Sequence, residues 1–219
     1  ARLGRTYGTG DRLTQPANDA ALKLFPAFAE MTGIDQSKVT INNMAPNLRE
    51  QLLMRGQIDA AFGYITTISF SAKGMGINPD EQLRFIRYGD HGMDLYSNSI
   101  FFSQEFIAEH PDAVRGFVAA INQAIQDAVA NPEEAIDALM RREPLLNREV
   151  ETDKMLTTVR NDMSHPEIAD IGLGDVSDDR LQKNIDIVVK ANQLENAPAP
   201  TQIFDRSFLP PRADRPSEL

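Results

Sequence analysis

No cysteine occurs in the 219 residues, which excludes a disulfide framework, a thiolate metal site and a cysteine nucleophile. The absence is neutral about compartment, because a cysteine-free chain suits the cytosol and an oxidising periplasm equally. Long apolar runs are missing too. Stretches such as Ile136 to Met140 and Ile185 to Val189 are broken by charge, far short of the roughly 20 apolar residues that span a bilayer. Nor is there a basic excess: 22 Lys and Arg stand against 32 Asp and Glu, a formal net charge of −10. A grip on phosphate backbones needs a clustered basic face, so nucleic acid is not expected as a partner. Histidine is scarce as well, with three in the chain and no pair at metal-ligand spacing, so no metal is expected.

What is present is an ordinary globular composition, 42% hydrophobic and 25% charged, enough for one sizeable core or two small lobes. The opening Ala1-Arg2-Leu3-Gly4 has neither an initiator methionine nor a signal-peptide pattern, and the chain is expected to be a fragment of a longer protein. Its first ninety or so residues alternate short β-like and longer helix-like segments. Arg5 to Gly8 reads as a strand, followed by a Gly8 to Thr14 loop and a helix that starts near Thr14 and Pro16. Leu22, Phe25, Phe28, Ala29 and Met31 give that helix an apolar stripe, and Gly33 stops it. Val39 to Ile41, Ile58 to Phe62 and Leu83 to Tyr88 read as further strands, with a helix over Leu48 to Met54 ended by Gly56. Strands alternating with helices predict an α/β fold with parallel pairing.

After Ser99 to Ser103, which reads as a connection buried on both faces, the texture becomes helical. His110-Pro111 and Asn131-Pro132 open helices, and Ser177 caps one over Leu181 to Ala191. Val114, Phe117, Val118, Ile121 and Ile125 predict one apolar face on the helix that runs to Val129. The proline-bearing tail from Pro198 to Pro216 is a wrap or a loose end. Met31, Met44, Met54, Met75 and Met140 read as core filler, and Glu133, Glu134, Asp178 and Asp179 as complements to helix dipoles.

Several short motifs fall in a telling order: Leu3-Gly4-Arg5-Thr6, Gly8-Thr9, Gly33-Ile34-Asp35 and Gly56-Gln57-Ile58-Asp59-Ala60. Phe106-Ile107-Ala108-Glu109-His110-Pro111-Asp112-Ala113-Val114-Arg115-Gly116-Phe117 and the closing Ile203-Phe204-Asp205-Arg206-Ser207-Phe208-Leu209-Pro210 extend the series. Together they resemble the ABC-importer substrate-binding proteins of the group that takes thiamine-pyrimidine precursors, sulfonates, taurine or nitrate. The resemblance implies a type II periplasmic binding protein fold of two lobes, here lacking the N-terminal part of the first. Residues 1–95 would form the second lobe, and residues 96–219 the helical remainder of the first lobe with the C-terminal tail. It also implies a periplasmic protein, free or anchored on the outer face of the inner membrane. Its partners would be a small polar solute and a membrane permease, and it would be monomeric, without a cofactor and without enzymatic activity.

Thr9 and Asp11 lie in the glycine-bearing loop, where backbone N–H groups can approach a ligand. Gly8-x-Gly10-x-x-Leu13 lacks the third glycine of a dinucleotide fingerprint, which argues against a nicotinamide or flavin dinucleotide there. Asn42 and Asn43 follow a strand and offer donors and acceptors suited to a heterocycle or amide, or they simply form a turn. Tyr64, at the end of Asp59 to Phe62, is expected to face a ligand, since ligands of open α/β sheets bind beyond the carboxyl ends of strands. The alternative is a tyrosine packed on the surface. Tyr96 and Asn98 sit in the polar run Asp90 to Asn98, where the resemblance places the crossing between lobes and a wall of the ligand site.

A sulfonate-like anion suits the helix terminus after Gly8, whereas Asp11, Asp90 and Asp94 favour an amine or aminopyrimidine, and the latter is preferred. Two other functions share this fold: a ligand-sensing effector domain of a bacterial regulator, which needs a DNA-binding helix-turn-helix, and a pyrimidine-synthase-like enzyme. The enzyme's branch uses a cysteine-containing motif that this chain does not carry.

Overall fold

The structure, a computed structural model, describes residues 20–43, 45 and 48–219 and the backbone of residues 11–15. The strand expected over Arg5 to Gly8, together with Thr9 and Met44, lies outside the described residues. The chain divides into two units: one of residues up to Leu95 with Lys183–Ala197, the other of Tyr96–Gln182 with Pro198–Leu219.

The first unit carries a three-stranded parallel sheet in the order β2-β1-β3, with β1 at Asp11–Gln15, β2 at Val39–Asn43 and β3 at Ala60–Ala61. Asp11 to Thr14, expected in a loop, therefore form most of the central strand. The helix α1 begins at Ala20 and runs to Thr32. Its Phe25 and Phe28 are buried with Ala27, Ala29 and Met93, and Val39, Ala60, Phe62, Ile86 and Tyr88 pack around them. Phe28 stacks on Tyr88 at 4.2 Å between ring centres, and Phe25 meets Phe62 edge-on at 5.2 Å. Burying each phenylalanine contributes about 2 kcal/mol.

Helices α1, α2 (Arg49–Met54) and α3 (Ile65–Gly74) end on one pattern. A glycine of positive φ follows each, Gly33, Gly56 and Gly76, and the next N–H turns back to a carbonyl five residues earlier, as Ile34 does to Ala29 at 2.8 Å. Helix α3 has no counterpart in the sequence reading. Its Thr66, Thr67, Ile68, Ser69 and Ser71 are weak helix formers, and burial of Thr66, Ile68 and Ala72 sets the state instead. A short α4 (Pro79–Gln82) leads into Leu83 to Tyr88. That segment is not a strand: it makes no ladder among the described residues, and Ile86 and Tyr88 anchor it through side chains. The Tyr88 hydroxyl donates to the Ala21 carbonyl at 3.0 Å.

The second unit is helical: α5 (Gln104–Glu109), α6 (Pro111–Ala130), α7 (Pro132–Arg142), α8 (Arg148–Thr158) and α9 (Ile168–Ile171). Pro111 and Pro132 open their helices as expected, and Asn131 accepts from the Glu134 N–H at 3.3 Å. One π turn over Val159–Met163 extends α8, with the Ser164 N–H reaching the Val159 carbonyl at 3.0 Å. Helix α10 (Asp178–Asn192) starts in this unit and ends in the other. Ser177 caps it, its hydroxyl accepting from the Arg180 N–H at 3.3 Å.

Three expectations fail here. Ser99 to Ser103 is not buried on both faces, since Phe101 is 88% exposed, and only Phe102 is held between Phe106 and Phe117. The α6 stripe also splits: Val114 is buried with Asn122, while Phe117 and Ile121 lie on the open side. Likewise Met31, Met54 and Met75 are exposed, and the methionine that fills the core is Met93.

The tail is a wrap. It begins with helix α11 (Pro200–Ile203), and Arg206, Arg212 and Arg215 then clasp the segment from Ala169 to Asp178. Among the described residues, no helix is long and apolar enough to cross a membrane.

Candidate ligand-binding site

Parallel pairing puts the carboxyl ends of all three strands on one edge. Gln15 lies opposite Asn43 and Thr14 opposite Ala61, so Asn43 on one side and Phe62-Gly63-Tyr64 on the other flank the end of β1. Two interstrand spacings, about 10 Å, separate them. The side chain of Asn43 is exposed, and Tyr64, the N-cap of α3, is 50% exposed. An amide with donors and an acceptor and an aromatic face with a hydroxyl tip are thus presented on the same edge.

The turn that carries Tyr64 rests on two buried charges that the sequence reading passed over. Arg49 and Glu50, 7% and 4% exposed, open α2. Arg49 donates from Nε and Nη2 to Glu50 Oε1 at 3.0 and 2.8 Å, and from Nη1 to the Phe62 carbonyl at 3.0 Å. Gly63 follows with φ at +152°, and a Cβ there would lie 2.5 Å from Arg49 Nη1. The sequence signal was available: a charged pair inside the Leu48 to Met54 helix, otherwise apolar but for Gln51, and a glycine just before Tyr64.

The other candidates are not gathered there. Thr9 lies outside the described residues, and Asp11 begins β1, so it sits at the opposite end of the sheet from Asn43. Four residues of strand, about 13 Å, separate those two levels. Tyr96 and Asn98 belong to the other unit. The Tyr96 hydroxyl donates to Glu167 Oε1 at 2.7 Å and accepts from the Ser177 N–H at 2.8 Å, while the Arg180 guanidinium lies over its ring at 4.1 Å. Arg180 also pairs with Glu167 at 2.7 Å. Burial, and next the bond to Glu167, raise the Tyr96 phenol above its ordinary value. Asn98 is exposed, and His91 lies edge-on to Phe28 at 5.7 Å.

Most residues of the sequence motifs prove to be scaffolding. Gly33 and Gly56 end helices, and Ile58 is buried. Asp35 accepts from the Ser37 hydroxyl at 2.6 Å and its N–H at 3.1 Å, bonds that hold its carboxyl below the usual range.

Residues 4–135 match the family described as NMT1/THI5 like, a stretch that takes in every motif above except Leu3 and the closing Ile203 to Pro210. A riboflavin-binding protein, RibY, of Chloroflexus aurantiacus is 26% identical over 186 residues, 81% of this chain and 50% of the relative. The chain thus spans about half the length of that curated relative. Its sheet of parallel strands between helices agrees with the family's fold. With more than half its length matched, the chain belongs to the NMT1/THI5-like family of substrate-binding proteins, whose fold is the α/β fold of periplasmic binding proteins.

Proposed function

We propose that this chain is the ligand-binding part of a solute-binding protein that captures a small planar nitrogen heterocycle and delivers it to the permease of an ABC importer. The observation that carries the reading is that Asn43 and Tyr64 share the carboxyl edge of the parallel sheet, on either side of β1, in a chain of this family. Ligands of open α/β sheets bind at that edge. A half-exposed tyrosine ring offers a stacking face, and an amide pairs with the alternating donors and acceptors of a heterocycle's rim. Riboflavin, which the relative's name specifies, carries a pyrimidine ring within its fused system, so it shares this rim with aminopyrimidines. A sulfonate has neither the plane nor the rim, and the cation beside this turn, Arg49, is buried and held by Glu50 and the Phe62 carbonyl.

On this reading the sheet-bearing residues 1–95 belong to the second lobe, and the helices of 96–219 to the first. The protein works outside the cytoplasmic membrane, in the periplasm or anchored to the membrane's outer face. Binding is the whole of its task, with no bond made or broken.

Thermal unfolding across aminopyrimidines, riboflavin, sulfonates, taurine and nitrate tests the reading, since a ligand stabilises its binder by mass action. Aminopyrimidine or riboflavin should raise the midpoint, and a rise with sulfonate alone would overturn the heterocycle assignment. Tyr64→Ala should weaken binding about tenfold or more, the scale of a lost anchor. Unchanged affinity removes Tyr64 from the site.

A further inference from the structure

Neighbouring positions on a helix do not face one another, and a lone arginine in a first turn opposes the helix dipole. Arg49 nevertheless bends across the first turn of α2 to reach Glu50, and its third nitrogen reaches the Phe62 carbonyl. Burying such a pair gains little: its desolvation roughly offsets its attraction, and apolar residues of similar size often serve stability as well or better. What the pair does supply is geometry. A guanidinium is a rigid fork, so holding Glu50 with Nε and Nη2 fixes where Nη1 points. Nη1 then fixes the carbonyl of the residue two before Tyr64.

Gly63 shows how tight that coupling is. The guanidinium occupies the space a side chain at position 63 would need, with Nη1 2.5 Å and its central carbon 3.2 Å from an added Cβ, and Ile68 Cδ1 closes the other side at 3.2 Å. The turn, its glycine and the ion pair form one unit, and Tyr64 is its outward end.

We propose that Arg49 and Glu50 are a buried positioning pair that fixes the Phe62-Gly63-Tyr64 turn and, through it, sets the affinity of the Tyr64 edge for its heterocycle. The second half rests on the function proposed above; the first does not. Neither residue touches the ligand. They act on it through the backbone that aims Tyr64.

The test replaces both charges together, Arg49→Met with Glu50→Leu, and follows backbone hydrogen exchange and riboflavin and aminopyrimidine binding in the full chain. Exchange at residues 63–66 should quicken at least tenfold while α1 keeps its protection, and the dissociation constant should rise at least fivefold. In a Tyr64→Ala background that rise should vanish, an outcome a general loss of stability would not produce. Arg49→Lys keeps the charge but not the fork, so it should quicken exchange at the turn by a smaller factor, and it serves if the double variant does not fold. Unchanged exchange at residues 63–66 overturns the positioning role. Faster exchange with unaltered affinity overturns its link to binding. If the unmodified chain binds neither probe, the proposed function fails and with it that link, while the exchange measurement still decides whether the pair holds the turn.

Discussion

The two units spend their polar residues differently. In the sheet-bearing unit, the α1 aromatics Phe25 and Phe28, edge-on to Phe62 and stacked on Tyr88, make the core, and backbone pairing satisfies the strands. Asn43 and Tyr64 are left at the sheet's edge. In the helical unit, Asp175 alone meets Arg206 at 2.8 Å, Arg215 at 3.3 Å and the Val176 N–H at 2.8 Å, and Tyr96 is tied to Glu167, Ser177 and Arg180. Polar groups there hold the unit itself together. A tyrosine is therefore a different object in each setting: Tyr64 is half open to solvent, whereas Tyr96 is part of the frame.

The sharpest way to break this contrast is Phe28→Ala, which empties the middle of the aromatic core and should cost about 4 kcal/mol. Hydrogen exchange should quicken in α1 and spare α6 and α7; equal losses in both would mean the units share one cooperative core. Next is Asp175→Ala, which strips the carboxylate from Arg215, itself 8% exposed, and should cost about 3 kcal/mol, read as lost protection in α9 and the tail. A loss confined to the sheet-bearing unit would contradict the frame assigned to the helical one.

The smallest effect belongs to Tyr96→Phe, which leaves the Ser177 N–H without its acceptor and should cost about 1–2 kcal/mol at neutral pH. Its pH dependence sharpens the point. The folded state raises the Tyr96 phenol, so the stability linked to the protonated phenol is complete below the ordinary value of 10.0. As pH climbs past that value the unfolded chain ionises first, and the contribution is lost until the folded phenol titrates as well. The gap between the unmodified protein and Tyr96→Phe, followed by denaturant unfolding, should therefore narrow above pH 10; a constant gap would remove the phenol from the frame.

Elements whose signals are local were legible in the sequence. Pro111, Asn131 and Pro132 at helix starts, Gly33 and Gly56 at helix ends and the β2 strand all act within a few residues of themselves, and each lies where it was read, whereas the helix expected from Thr14 and Pro16 begins only at Ala20. Where burial overrides propensity, the reading fails: α3 is helical despite its threonines and serines, and Leu83 to Tyr88 is extended without a strand partner among the described residues. The proposed site was half legible for the same reason. Asn43 ends β2 and Tyr64 comes just after β3, so the edge rule points to them, but Arg49 and Glu50 reach that edge through a turn thirteen residues on, a distance no local pattern spans.

The π turn at Val159–Met163 has a bearing of another kind. Such a turn accommodates one residue more than an ordinary helical turn, so it is where a helix absorbs a change in chain length without rotating everything beyond it. Elsewhere in α8 a one-residue deletion would swing the following side chains by about 100°. Between Val159 and Met163 it would convert the bulge to regular helix, making this short stretch the natural seam at which the number of residues in the helical unit can drift over generations.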